Sequence, residues 1–480
     1  MWLLPASASL SMAICILALA GMAPAWSADD ELKEDHELSL EFETPHTDWA
    51  RPYALGTVRV LYFGWGSYDR GIEARDIVEL MQRFDIDATA AYCHRIIDSP
   101  RIEWHGGETG IERMRRLLDQ PWDCFIFAGV AVTDLPHELQ YKMYEAVTEG
   151  AGIVLLGVDD ERALKPQNRV TPAPPFLVEA DEPIGDAFGI KAGRGIRLPQ
   201  RPQIPYHPGW ETGYDYWLER VGRAVLWAAN KAPRVELAVT PDAARFDRAH
   251  ASGRLASVKW SGGSAGEGLT LDARLRGDDG RVFGLPRPRP LSSGEGSTIL
   301  QLEYPLPAGH YHLDVTARNA DSIEAWATAP IEITSPRTVE AVELARDWGE
   351  IGDRIAGTAK LVGPATAGEK VWVHLVDARG RVLVQADRPV SDSTARFEFA
   401  IEDWMPMLLE VRARLTDGDQ EVSSAYSYFR VTKRNRGQFN FVVWDWPADT
   451  IAPYAEQQLA RLGCTVPLGW LCASTTPAAW

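Results

Sequence analysis

The stretch Val58-Arg59-Val60-Leu61-Tyr62-Phe63-Gly64-Trp65-Gly66 decides how the first half of the chain folds. Its apolar run has the length of a strand, and glycines follow at once. A helix is expected next, over 72–84, because Ile77, Met81 and Phe84 recur at i, i+4 and i+7 with Ala74 and Val78 beside them. Further strands are expected over 88–92, at Cys124-Phe125-Ile126-Phe127-Ala128 and at Gly152-Ile153-Val154-Leu155-Leu156. A second helix is expected over 136–149, with Pro136 at its start, Leu139, Met143 and Val147 on one face, and Gly150 just past its end. Strands alternating with helices in this manner predict a parallel sheet covered on both faces. Such sheets hold ligands beyond the carboxyl ends of their strands. Here those ends read Gly64-Trp65-Gly66, Gly129-Val130 and Gly157-Val158-Asp159. Trp65, Gly129 and Asp159 are therefore candidate ligand-binding residues, joined by His207 from the later Tyr206-His207-Pro208.

At 480 residues the chain has room for three or four domains, at ~100–200 residues each. With 45% hydrophobic and 24% charged residues it has the composition of a globular protein. A formal net charge of −18 argues against nucleic acid or an anionic membrane as a partner, since both need clustered Lys and Arg. The 18 Trp residues are expected mainly in cores. None of the five Cys falls in a Cys-x-x-Cys or beside a His at zinc-like spacing, so no metal and no cofactor are expected. His36, His137 and His207 default to solvated or core histidines. In Gly64-x-Gly66 with Gly71, the third glycine comes too late for a dinucleotide fingerprint, which leaves a flexible turn.

Taken in order, the chain opens with an apolar run over 12–23, too short to span a bilayer. Ala23-Pro24-Ala25 and then Asp29-Asp30-Glu31 follow, which reads as a secretory signal peptide over 1–28. A secreted or periplasmic protein without a stable membrane span is expected. No Lys or Arg precedes the run, so an uncleaved tether is the alternative. Residues 29–56 read as an acidic linker and 57–233 as the α/β domain. The stretch after Asp160 looks Pro-rich and irregular to about 208, and a helix over 218–230 carries Val221, Val225, Leu226 and Ala229.

From 234 the period changes to two. Tyr311, Leu313 and Val315 alternate with polar residues, as do Leu409, Val411, Ala413 and Leu415, which is the pattern of half-buried antiparallel strands. Gly277-Asp278-Asp279-Gly280-Arg281-Val282-Phe283 is echoed by Asp377-Ala378-Arg379-Gly380-Arg381-Val382-Leu383, a hundred residues on. That period suits two immunoglobulin-like β-sandwiches, over 234–336 and 337–433. From 438 the signal returns to α/β, with a strand over 439–445, a helix over 452–462 and a new strand from Cys464. One such unit cannot bury its own apolar faces, so 438–480 is read as the truncated start of a larger (β/α) domain.

The order of elements over 57–233, with a helix opening Leu135-Pro136 and Gly150-Ala151-Gly152-Ile153-Val154-Leu155-Leu156-Gly157 entering a sharp turn, resembles the class I glutamine amidotransferase-like superfamily. The resemblance implies a flavodoxin-like parallel sheet and a Cys nucleophile at that turn. The matching positions are Gly157-Val158-Asp159-Asp160-Glu161, so Asp159 stands where the thiolate belongs. A carboxylate cannot perform the acyl transfer of a thiolate. Glu211 lies four residues beyond His207 where the family has a His-x-Glu pair, and neither residue takes over a catalytic role. The whole order, ending in a strand with Trp444-Asp445-Trp446, resembles large secreted proteins of the β-galactosidase-like glycoside hydrolase kind. In those a barrel of ~250 residues follows the accessory domains. The expectation is a non-catalytic accessory portion of a carbohydrate-processing protein, with carbohydrate as its partner. The alternatives are a self-sufficient ligand-binding or scaffold protein, and last an active hydrolase using Asp159. Ligand identity and oligomeric state are not encoded legibly.

Overall fold

A computed structural model of the chain describes residues 38–41, 43–65, 72–95, 102–158, 168–179, 182–202, 209–250, 253–262, 268–285, 289–291, 294–365, 367–433, 441–444, 458–459, 461–464 and 466–468. The protein is mostly β, with a mixed sheet in its first half and several mainly antiparallel sheets beyond it. Among the described residues no helix is long and apolar enough to cross a membrane.

The mixed sheet is built from β1 (Val58–Trp65), β2 (Ile86–Arg95), β3 (Ile102–Trp104), β4 (Cys124–Ala128), β5 (Gly152–Leu156) and β6 (Asn168–Arg169). After the short hairpin of β7 (Val178–Glu179) and β8 (Glu182–Pro183), β9 (Asp186–Ile190) and β10 (Gly193–Leu198) complete it. The order is β3-β2-β1-β4-β5-β10-β9-β6, with β2, β1, β4, β5 and β10 mutually parallel and β3, β9 and β6 antiparallel at the edges. Helices α1 (Ile72–Arg83) and α4 (Trp210–Ala228) share one apolar core with one face of the sheet. Helices α2 (Gly107–Leu118) and α3 (His137–Glu149) share a second core with the other face.

Several elements depart from what the sequence led us to expect. Helix α2 and strand β3 are additional, and β9 and β10 occupy a stretch expected to be irregular. Glycines hid the latter pair: a Cβ at Gly195 would lie 2.2 Å from the Phe188 ring, so packing demands the residue that local propensity penalises. Residues 29–56 are also not linker throughout. Trp49, Ala50 and Tyr53 are buried in the core. Ala50 exchanges backbone hydrogen bonds with Arg83 and Asp85, and the Ala54 amide donates to the Ile323 carbonyl at 3.0 Å.

Beyond 233 two β-sandwiches follow, each with its own core. The first packs a sheet of Glu236–Pro241, Gly253–Ser261 and Gly296–Leu302 on one of Arg245–Asp247, Ile323–Thr334, Gly309–Arg318, Thr270–Gly277 and Val282–Gly284, where Arg289–Pro290 also pairs with Thr270–Gly277. The second repeats that plan, with Thr338–Leu344, Arg354–Val362 and Thr394–Ala400 on Trp348–Glu350, Gln420–Thr432, Leu408–Asp417, Glu369–Val376 and Val382–Arg388. The echoed segments are the same hairpin turn: the Gly280 amide donates to the Gly277 carbonyl as the Gly380 amide does to that of Asp377, each at 2.9 Å. Near the end, Val442–Trp444 and Val466–Leu468 pair in parallel.

Helix α4 begins at Trp210, eight residues before its expected start, and is buried around nearly its whole circumference. One side covers the mixed sheet and the other meets the first sandwich. Asp215 at its centre is fully buried; it accepts from Arg83 Nε of α1 at 2.5 Å and from Arg276 of the sandwich. Arg83 also bonds Glu79 at 2.8 Å, and Thr47 Oγ1 accepts from Arg276 and Arg274 at 3.0 and 2.7 Å. Burial works to raise the Asp215 carboxyl, but the two guanidinium groups outweigh it and hold it below the usual carboxylate value. Alongside, Trp326 Nε1 donates to Glu219 at 2.6 Å, Tyr216 Oη donates to Asp314 at 2.7 Å, and the Tyr216 ring stacks on His312 at 3.7 Å.

Removing one partner of a buried pair strands the other charge, which costs about 3–5 kcal/mol. Arg83→Ala is therefore expected to lose that much stability in urea unfolding; a loss below about 1 kcal/mol contradicts the role given to Arg83. Burial depresses His312 from 6.5 to about 4. The unfolded chain then binds the extra proton between those values, so this group's contribution to stability falls as pH drops from 6.5 toward 4. Asp314, raised by burial from 3.8 to about 6, acts in the opposite sense over its own window. His312→Phe keeps a ring against Tyr216 and is expected to remove a slope of up to about 1.4 kcal/mol per pH unit. Stability curves of the two proteins that stay parallel through this range refute the assignment.

Candidate functional site

The carboxyl edge of the mixed sheet is the first place to look. Gly129 and Gly157 adopt φ of +68° and +65°, which turns the chain sharply as it leaves β4 and β5. Their amides donate to the carbonyls of Leu156 and Leu198 at 2.9 and 3.1 Å, tying the strand ends together. At the point where strand order reverses, between β1 and β4, Trp65 lies only 6% exposed and its indole N–H donates to the Gly129 carbonyl at 2.7 Å. The indole thus bridges the ends of β1 and β4 at the position where doubly wound sheets hold a ligand. Two of the four expected residues, Trp65 and Gly129, meet there. Asp159 and His207 lie outside the described residues.

Among the described residues no thiol stands at the turn after β5. Cys124 sits at the amino end of β4, fully buried, where desolvation pushes its thiol well above the usual range. Cys93 is buried in β2, which β1 and β4 separate from β5. Among the described residues no group of three His, Cys, Asp or Glu side chains is placed to hold a metal.

A second cavity, of about 460 Å³, opens where α4 and both sandwiches meet. Its floor is the outer face of the larger sheet of the second sandwich. There His374 pairs across strands with Arg412, and Arg412 with Tyr426; in the next row Val376 pairs with Glu410, and Glu410 with Tyr428. One wall is the turn 277–281 of the first sandwich, another the echoed turn 377–381, and the third Trp210 and Glu211 of α4. Gly209 brings these walls together: its φ is +90°, and a Cβ there would lie 2.4 Å from the Asp278 carbonyl oxygen.

Charges in this cleft are compensated. Arg412 bonds Asp279 at 3.1 Å and also Glu410; Arg281 bonds Asp279 at 2.5 Å and Glu421 at 2.8 Å. Arg414 bonds Glu421 at 2.7 Å, and Tyr428 Oη donates to Glu211 at 3.0 Å. His374, only 5% exposed, makes no hydrogen bond among the described residues. Burial and the nearby Arg414 lower its pKa, so it is neutral at pH 7.

Neither a family model nor a curated protein matches the chain. Among solved structures it is similar to a tetra-tandem repeat in the extending region of a large adhesion protein, at 15% identity over 42% of this chain and 50% of that one, with a TM-score of 0.19. It is also similar to the native conformation of alpha-2-macroglobulin from E. coli, at 11% identity over 44% of this chain and 17% of that one, with a TM-score of 0.22. The chain thus spans half of the first protein and about a sixth of the second.

Of the four expected residues, the two that are described, Trp65 and Gly129, do not line the junction cleft. The signal that could have found it was the repeat itself: charged residues recur in both turns, and in the first copy Asp279 and Arg281 grip the neighbouring sandwich instead of water. The Trp65 contact carries its own test. Trp65→Phe keeps an aromatic ring but leaves the Gly129 carbonyl without that donor and a void beside it. The expected cost is about 1–2 kcal/mol in urea unfolding; an unchanged midpoint contradicts a structural role for the indole.

Proposed function

We propose that this chain is a non-catalytic accessory portion of a secreted carbohydrate-processing protein. The observation that carries the non-catalytic part of the reading is the Trp65–Gly129 hydrogen bond, which sets a nearly buried indole at the position where chemistry on a doubly wound sheet is done. The amidotransferase-like reading of the α/β portion is supported by the order β2-β1-β4-β5-β10, which follows the flavodoxin-like pattern along its parallel strands. The same reading places a nucleophile just after Gly157, and the sequence there offers Asp159. Acyl transfer by that route needs a thiolate the turn does not supply.

The immunoglobulin-like reading of the two sandwiches is supported by their shared plan, in which a short strand runs parallel to the last long one in each copy. The parallel pair Val442–Trp444 and Val466–Leu468 supports reading the residues from 438 as a βα unit of a barrel-like domain. Such a protein uses its α/β portion and sandwiches as one stiff body that presents or spaces a catalytic domain. A second reading, a ligand-binding protein in its own right, is favoured by the junction cleft, which opens among three parts and not at the sheet edge.

Hydrolysis assays with glutamine and with aryl glycosides test the proposal on the purified chain and its Asp159→Ala variant. No turnover above buffer is expected from either protein. Turnover by the native chain that Asp159→Ala abolishes overturns the non-catalytic reading and makes that carboxylate the nucleophile.

A further inference from the structure

The junction cleft is built like a site for a neutral polyol, and we propose that it binds one or two sugar units of an uncharged carbohydrate. The inference rests on the carbohydrate reading above and gives it a location. A volume of about 460 Å³ suits a small saccharide, being within the ~300–1,000 Å³ range of small-ligand sites.

Charge selects the ligand class. The guanidinium groups of Arg281, Arg412 and Arg414 are each engaged by carboxylates, and Arg276 is engaged by Asp215. A phosphate or a sugar acid would find no surplus of positive charge, and would meet Glu211 and Glu410 on the wall and floor. Hydroxyl groups, by contrast, both donate and accept. They can donate to spare lone pairs of ion-paired carboxylates and accept from tyrosine. His374 adds a neutral imidazole to the lining, and its ring nitrogens are not among the buried unpartnered polar atoms, so a ligand hydroxyl can take the place of water beside them. The apolar surfaces of Val376, Val382 and Leu408 offer contact for the C–H face of a sugar ring.

The equivalent face of the first sandwich shows what this surface can accept. Arg274 pairs across strands with Asp314 where the second sandwich has His374 and Arg412. In the first copy that face grips the side of α4 through Tyr216. In the second it meets only the first turn of the helix, and space remains above it.

Calorimetric titration of the full chain with cellobiose, maltose and lactose, and with glucuronate and inorganic phosphate as charged controls, tests the proposal. We expect at least one neutral disaccharide to bind with a Kd on the order of 1 mM or tighter. His374→Ala and Glu410→Gln should each weaken it about 10-fold, the loss expected when a buried hydrogen bond is removed. Tyr141→Ala, at a side chain 68% exposed, should leave it unchanged. Thermal melting of each variant separates lost binding from lost folding. No binding by any neutral sugar, equal binding by folded variants, or tighter binding of phosphate or glucuronate overturns the site. Retention of the chain on insoluble cellulose, xylan or chitin reads the carbohydrate association independently. Retention that His374→Ala leaves intact sinks the cleft alone, whereas no retention together with no sugar binding sinks the carbohydrate reading as well.

Discussion

Asp215 can be buried only because two guanidinium groups reach it from different parts of the chain, and the arrangement of the first three hundred residues depends on that. Each ion taken from water costs several kcal/mol unless partners satisfy it in good geometry. Arg83 and Glu79 come from α1, Asp215 from α4, Arg276 from the first sandwich, and Thr47 from the segment before β1. Apolar burial supplies most of the driving force between these parts, but it is non-directional. A helix such as α4, apolar or enclosed on nearly every side, could slide or rotate with little change in buried area. The charges remove that freedom, because a turn of the helix would strand Asp215. The same constraint fixes Trp210 and Glu211, five and four residues earlier, at the mouth of the junction cleft.

The two sandwiches show how one sheet plan serves two purposes. In each, the larger sheet has an apolar inner face and a polar outer face, as alternation along the strands requires. The outer face of the first is sealed: Asp314 is 2% exposed, His312 stacks on Tyr216, and Trp326 donates to Glu219. The outer face of the second holds its charges in internal pairs and is covered only at its margins. Within the first copy's turn, Arg281 reaches across to Glu421 and Ser424 at 2.9 and 3.0 Å. In the second copy's turn, Arg381 pairs with its own Asp377 and its side chain is 70% exposed. Identical local geometry thus becomes an interface in one case and a surface in the other.

Period and punctuation made much of this legible from sequence. Ile77, Leu139, Met143 and Val147 are buried on the faces their spacing assigns, and Gly150 closes its helix. Tyr311, Leu313 and Val315 point inward, and the hundred-residue echo marks corresponding hairpins. Tertiary context decided the rest. The helix was expected to begin at 218, after Asp215, because no local rule shows that the partners of Asp215 and Glu219 lie far along the chain. Strands β9 and β10 were concealed by glycines that exist to let backbones approach. The site was harder still: Trp65 and Gly129 were named as strand ends, while the cleft is assembled from α4 and both sandwiches, whose lining residues run from Trp210 to Tyr428.

Trp65 and the junction cleft are complementary facts. A doubly wound sheet ordinarily offers its crevice because the loops leaving neighbouring strands diverge where the order reverses. Here a large side chain from β1 spans that gap and is held by a carbonyl at the end of β4. An indole bonded at 2.7 Å and nearly excluded from solvent is a packing element, and a ligand would have to displace both ring and hydrogen bond. At the junction the imidazole of His374 lines an open cleft whose charged neighbours are already neutralised. A binding role is therefore better sought among the sandwiches than at the carboxyl ends of the strands.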